Sequence, residues 1–258
     1  MILSGHLEKQ AFQMSRPLKK VIIVLVEGET EEILLKERLR EIFSKHQIHF
    51  DVQRGDLFFD FNRRQSAIKN VIGDVITSIM KVRKYKKEDI VAVLQIIDTD
   101  GVFIRDENIV INNNQEMATV YNENEITVKN KDQREFIIER NQERKRNINM
   151  MNSVESVIKG KIPYQIYYMS RHLEHVVFNE PNPNKDKKVE NMDRFIDNLT
   201  EHIEDFLSEW MFHLDGKTLV EKYRESWMKI SRETESLKRR TNVPLLFDYL
   251  DEILKNKD

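Results

Sequence analysis

The run Val21-Ile22-Ile23-Val24-Leu25-Val26 is unbroken, mostly β-branched and closed by Glu27-Gly28, the pattern of a strand buried on both faces. Behind it Leu35, Leu39, Ile42 and Phe43 recur at helical spacing, with Thr30 placed to cap that helix and Glu31 and Glu32 in its first turn. A short strand follows at Ile48 to Gln53, then a loop rich in Asp and Arg. Ile68, Val71, Ile72, Val75, Ile76 and Ile79 next line one helical face, which runs into the basic tract Lys81 to Lys87. A second apolar run, Ile90 to Ile97, interrupted only by Gln95, ends at Asp98-Thr99-Asp100-Gly101. Strand, helix, strand, helix, strand in this order predicts an α/β protein with a mainly parallel sheet flanked by helices.

From about residue 102 to 160 the composition turns to Asn, Gln and charge, as in an insertion, with a hairpin expected from Ile109–Ile111 and Ile126–Val128 and a polar helix from Asp132. A further sheet strand fits Gln165 to Met169 and leads into Ser170-Arg171-His172-Leu173-Glu174-His175. Beyond the loop at Pro181 to Lys188 the pattern is helical. Met192, Phe195, Ile196, Leu199, Ile203, Phe206, Leu207, Trp210, Met211 and Leu214 predict one long helix, about 34 Å at about 1.5 Å per residue. Asp215-Gly216 breaks it, a helix carrying Leu219, Tyr223, Trp227 and Ile230 follows, and a last one starts at Pro244. The organisation expected is an α/β domain over 18–180, with its insertion, and a C-terminal helical module over 188–258 that packs on it or on a partner.

Composition narrows the chemistry. The 258 residues hold no Cys, which removes thiol nucleophiles, disulfides and thiolate zinc sites together. Gly and Pro number 7 and 5, too few for a Gly-x-Gly-x-x-Gly or Walker loop, and neither motif occurs. If ATP drives anything, a partner must bind it. The net charge of −2 excludes a uniformly basic coat but not local basic patches. No run approaches the roughly 20 apolar residues of a membrane span, and Met1 to Gln10 lacks a signal-like apolar block, so the expectation is a soluble, cytoplasmic protein with no membrane partner.

What remains is the placement of acids at the carboxyl ends of two buried strands, Glu27 after the first and Asp98 and Asp100 after the third. Ligands of open parallel sheets sit at such ends, where the strand order reverses. Alternate residues of an extended chain point the same way, so Asp98 and Asp100 can aim at one spot while Thr99 turns aside. Convergent carboxylates repel one another unless a cation lies among them, and hard oxygen donors select Mg²⁺ or Mn²⁺. Each acid alone also fits a plainer role: Glu27 facing a helix N-terminus, Asp-x-Asp-Gly as turn chemistry.

Val24-Leu25-Val26-Glu27-Gly28-Glu29-Thr30-Glu31, followed about 70 residues later by Ile96-Ile97-Asp98-Thr99-Asp100, resembles the Toprim domain of topoisomerases, bacterial primases and OLD-type nucleases. It is closest to the RloB-like and abortive-infection Toprim proteins of anti-phage systems. The resemblance covers roughly residues 20 to 180. It implies that Glu27 is the catalytic glutamate, that Asp98 and Asp100 bind Mg²⁺ or Mn²⁺ with it, and that Glu174, after the fourth strand, is a further catalytic acid. His172 and His175 flank that acid and read first as partly exposed helix residues.

Two stretches could hold a nucleic-acid backbone: Lys81, Arg83, Lys84, Lys86 and Lys87, with Tyr85 available for stacking, and Arg144, Lys145 and Arg146 within a segment of net charge +4 from Lys129 to Lys161. A solvated helix face explains either equally simply. Glu190 to Glu209, with seven acids and one Arg, disfavours nucleic acid there. The chain has no room for the tyrosine domain of a topoisomerase or the modules of a primase. The expected function is thus a metal-dependent endonuclease acting on DNA or RNA, tRNA included, as an anti-phage effector beside an ATPase or as a homo-oligomer. The alternative is a non-catalytic Toprim-fold subunit regulating a partner ATPase.

Overall fold

The computed structural model describes residues 20–52, 57–59, 66–183 and 185–255. β1 (Val21–Val26) is wholly buried, and α1 (Glu29–Ile42) leads to β2 (Gln47–Val52), which pairs with β1 in parallel. α2 (Ile68–Arg83) then carries the chain back to β3 (Ile90–Asp98), parallel to β1 on its other side. The insertion holds β4 (Ile109–Ile111), β5 (Thr119–Tyr121) and β6 (Ile126–Val128), followed by α3 (Lys131–Asn152). β7 (Ser156–Val157) and β8 (Ile162–Met169) complete the main sheet, whose order is β2-β1-β3-β8-β7, with β7 its antiparallel member. α4 (Leu173–Phe178) closes this part of the chain.

β1 and β3 read as strands because a largely apolar run suits a strand covered on both faces, and the one polar residue of β3 before its end, Gln95, is buried and accepts from the Tyr164 hydroxyl at 2.6 Å. Their order is what matters for function. β1 steps to β2 on one side, and the chain then crosses to β3 on the other, so the sheet reverses between β1 and β3.

The structure corrects three local expectations. The helix after β1 is not capped by Thr30, which is buried within it. Gly28 stands at the cap, and its N–H donates to Glu31 Oε2 at 3.1 Å. A Cβ on Gly28 would lie 3.0 Å from that oxygen, so the close approach favours glycine. In the insertion β4 and β6 are not a hairpin. They pair in parallel, because β5 reverses the chain between them and lies antiparallel to β6, giving the order β4-β6-β5.

The stripe from Met192 to Leu214 is not one helix either. It forms α5 (Lys188–Asn198) and α6 (Ile203–Ser208), with Leu199 extended between them, and Trp210 to Leu214 continue without regular structure. The break folds the apolar residues back: α5 packs on α1, and α6 on α1 and on α8 (Pro244–Lys255).

The C-terminal helices are not a separate layer. Met192, Ile203, Leu207, Trp227 of α7 (Leu219–Ile230), Leu246 and Leu250 lie in the same apolar core as β1, β3 and β8. The segment before α8 also finishes the edge of β8. Ser170 N–H donates to the Arg240 carbonyl at 2.7 Å, Met169 bridges Thr241, and Tyr168 N–H donates to Asn242 Oδ1 at 2.8 Å. Among the described residues no helix is long and apolar enough to cross a membrane.

Candidate functional site

The acids expected to act together meet where the sheet order reverses. Glu27 leaves the carboxyl end of β1, and its Oε1 accepts the N–H of Asp98, the last residue of β3, at 3.3 Å. Thr99 turns into the core. Its N–H donates to the Met169 carbonyl at 3.0 Å, its hydroxyl to the Ser236 carbonyl at 3.2 Å, and it accepts from Arg171 N–H at 2.9 Å.

Asp100 then adopts a left-handed conformation (φ 47°), and so does Arg171 at the end of β8 (φ 55°), the two joined by Asp100 N–H donating to the Arg171 carbonyl at 2.8 Å. Left-handed non-glycine residues are costly and persist where surrounding contacts impose them, commonly at functional sites. Gly101 continues the turn at φ 66°, and a Cβ there would meet Leu237 at 2.6 Å.

Asp98 feels the crowding. Burial pushes its carboxyl well above the ordinary value, and the negative charges of Glu27, Glu31, Asp100 and Glu174 push it further. Glu31, one turn into α1 and 4 % exposed, is a fourth acid at the cleft that the sequence motifs do not single out. Burial raises it, opposed by its own backbone hydrogen bond, and Glu174 raises it again.

Glu174 is present too, but differently supported. Burial works to raise it, yet His172 Nδ1 at 2.9 Å and Lys188 Nζ at 2.8 Å more than offset that and hold its carboxyl at about 2. His172 and His175 are therefore not the exposed helix residues expected. Both are buried: His172 stands at the start of α4 with Nδ1 beside Glu174 Oε2, while His175 Nδ1 faces the Ser170 carbonyl at 3.2 Å. Burial, then the Arg171 charge, lowers His175 to about 3.

The main surprise is Arg144, expected on a nucleic-acid-binding face. It is 1 % exposed and lies inside the cleft. Its Nη1 donates to Asp100 Oδ2 at 3.0 Å, and its Nη2 sits 3.6 Å from Glu27 Oε1 and donates to the Asp98 carbonyl. One turn earlier Arg140 donates to the Asp100 carbonyl at 2.8 Å and to Tyr121 Oη at 3.0 Å. The sequence carried a signal for this: Ile137, Asn141, Arg144, Ile148 and Met151 recur at helical spacing and are the buried face of α3, so Arg144 occupies a core position. Lys145 and Arg146 turn outward beside it and are exposed, as expected.

The tract from Lys81 to Lys87 does not join the acids. Lys81 and Arg83 end α2, and Lys84, Lys86 and Lys87 precede β3, at the amino end of the sheet. The nine residues of β3 separate that end from Asp98 by roughly 25 Å. Lys81, Arg83, Lys84 and Lys86 are exposed, but Tyr85 is buried edge-on against His49 and cannot offer a stacking face. A cleft of about 550 Å³ between β2 and α2, lined by His49, Asp51, Asp74 and Arg83 among others, holds none of the switch-point acids.

Among the described residues the donor chemistry at the switch point is that of a hard divalent cation: carboxylate oxygens without sulfur, with Asp98 raised by burial and by its acidic neighbours. As the side chains stand, no three acids or histidines among the described residues converge on one point, because Arg144 draws Glu27 and Asp100 to itself. No protein family, curated protein or solved structure is found to match this chain.

Proposed function

We propose that the chain is a Mg²⁺- or Mn²⁺-dependent nuclease of Toprim type. The observation that carries the reading is the meeting of Glu27 with Asp98 and Asp100 at the β1/β3 reversal, where open parallel sheets bind ligands, with Asp98 raised by burial and by the surrounding negative charge. Glu27, Asp98 and Asp100 would hold the cation, which when bound neutralises the attacked phosphodiester and lowers the pKa of a bound water.

The chain's own residues supply the rest. Thr99 and the Asp100–Arg171 backbone pair fix the turn that presents both aspartates. Glu27 is the candidate to take a proton, and Lys145 and Arg146, exposed on α3 next to Arg144, are the candidates to meet a phosphate backbone. An anti-phage setting and an ATPase partner belong to this reading through the family resemblance.

One observation favours a second reading. Arg144 already compensates Glu27 and Asp100, as it would in a non-catalytic subunit whose acids only hold the fold. Purified protein incubated with plasmid DNA and with total tRNA, each with Mg²⁺, Mn²⁺ or chelator, separates the two. Metal-dependent cleavage lost in Glu27→Ala supports the nuclease. Absence of cleavage under every condition favours the interaction subunit.

A further inference from the structure

Arg144 is a charged side chain in the one place where the proposed metal chemistry would want a cation, and its geometry constrains what can share that place. Its guanidinium contacts an oxygen of Glu27 and an oxygen of Asp100, and donates to the backbone carbonyl of Asp98 between them. A Mg²⁺ ion takes its oxygens at about 2.0–2.1 Å, so two carboxylates serving one ion must approach within about 4.2 Å of each other. A guanidinium that already contacts one oxygen of each carboxylate competes with such an ion for them.

We propose that Arg144 is the resident counter-ion of this cleft and a positioning residue for the acids, and that a divalent cation enters by taking Glu27 and Asp100 from its guanidinium. The inference rests on the metal reading given above and deepens it. Several features favour exchange over a permanent ion pair. The pair to Glu27 is long, 3.6 Å, and Glu27 and Asp100 each keep about a fifth to a quarter of their side chains exposed, so water and ions reach them while Arg144 stays buried.

The single positive charge is divided between Glu27 and Asp100, with the Asp98 carbonyl also bonded to it. A dication supplies twice the charge. Arg140 makes none of these carboxylate contacts. It bonds the Asp100 carbonyl, Asn141 Oδ1 at 2.9 Å and Tyr121, so the turn stays held from that side when Arg144 lets go.

The test is Mn²⁺ binding to the full chain by isothermal titration calorimetry, comparing the natural protein with Arg144→Gln and Arg144→Lys, each checked for fold by circular dichroism. Exchange requires that Arg144→Gln bind Mn²⁺ at least about tenfold more tightly, because no internal cation competes. Arg144→Lys, which keeps the charge without the two-pronged reach, should fall between. A merely structural arginine predicts the opposite order, with affinity weakened by a disordered cleft.

Equal or weaker binding to a folded Arg144→Gln protein overturns the exchange. Should that variant fail to fold, Arg144→Lys decides by the same comparison. Should neither fold, Mg²⁺ titration of the natural protein decides: the arginine side-chain Nε–H resonances must include one that shifts with saturation, and none shifting overturns the proposal. Binding to none of the three proteins removes the metal reading itself, an outcome distinct from equal binding to all.

Discussion

Two acidic corners of this molecule lie side by side and are treated in opposite ways. At the α4 corner Glu174 is buried but has a histidine and a lysine in direct contact, and its carboxyl is held down at about 2. At the β1/β3 cleft Asp98 faces Glu27, Glu31 and Asp100, Arg144 contacts Glu27 and Asp100, and the Asp98 carboxyl is pushed up. The first arrangement lowers the free energy of the folded chain. The second raises it and is relieved by anything positive that arrives. An acid with counter-ions in direct contact reads as support, and a set of acids short of positive charge reads as a binding site.

The sharpest way to break this contrast is activity. Asp98→Asn and Glu27→Gln are each expected to reduce metal-dependent cleavage at least about 100-fold, since loss of a ligand should exceed the 10–100-fold typical of outer-shell changes. Glu174→Gln, if Glu174 is support, should cost less than either. Single-turnover rates on the best substrate check this, and an equal loss in all three would put Glu174 back among the reacting groups.

Stability in chelator should show opposite signs. Glu174→Gln is expected to cost on the order of 3 kcal/mol at pH 7, the free-energy equivalent of the shift from 4.5 to about 2. Asp98→Asn is expected to leave stability unchanged or raise it by a few degrees in melting temperature, because an uncompensated charge is removed. Thermal melts of the three proteins decide the sign.

The pH dependence sharpens the same point. Glu174 is depressed, so its contribution is present above the unfolded value of about 4.5 and is lost as pH falls towards 2, and the gap between the natural protein and Glu174→Gln should close there. Asp98 is raised, so its cost is absent at low pH and grows as pH rises past the ordinary aspartate value of about 4, and the advantage of Asp98→Asn should open in that direction. Urea midpoints between pH 2 and 8 would follow both curves.

The smallest effect concerns the two basic stretches. Charge reversal at Lys145 and Arg146, beside the cleft, should weaken nucleic-acid binding and flatten its salt dependence by about one unit of slope for each phosphate no longer neutralised. Reversal at Lys81, Arg83 and Lys84, roughly 25 Å away, should change affinity less than about threefold. Equal losses in the two sets would show a nucleic-acid track running the length of the sheet.

Local pattern was enough for the strands of the sheet centre and the acids at their ends. A strand buried on both faces is almost wholly apolar, so Val21–Val26 and Ile90–Ile97, with the one buried Gln95, announce themselves, and the acids that follow mark the carboxyl edge. The helices after Ile68 and Leu219 were legible for the related reason that one face of each is apolar.

The pairings came from tertiary packing. Arg144 reaches Asp100 across 44 positions, and Asn242 serves Tyr168 across 74, separations at which composition and periodicity carry no information. A basic residue on a polar helix looks the same whether its face meets water or a cleft of carboxylates, and only the packing of α3 against β8 and α2 settles which. The break at Leu199 has the same origin, because apolar spacing names the residues that must be buried and leaves the direction of the chain to the core that receives them.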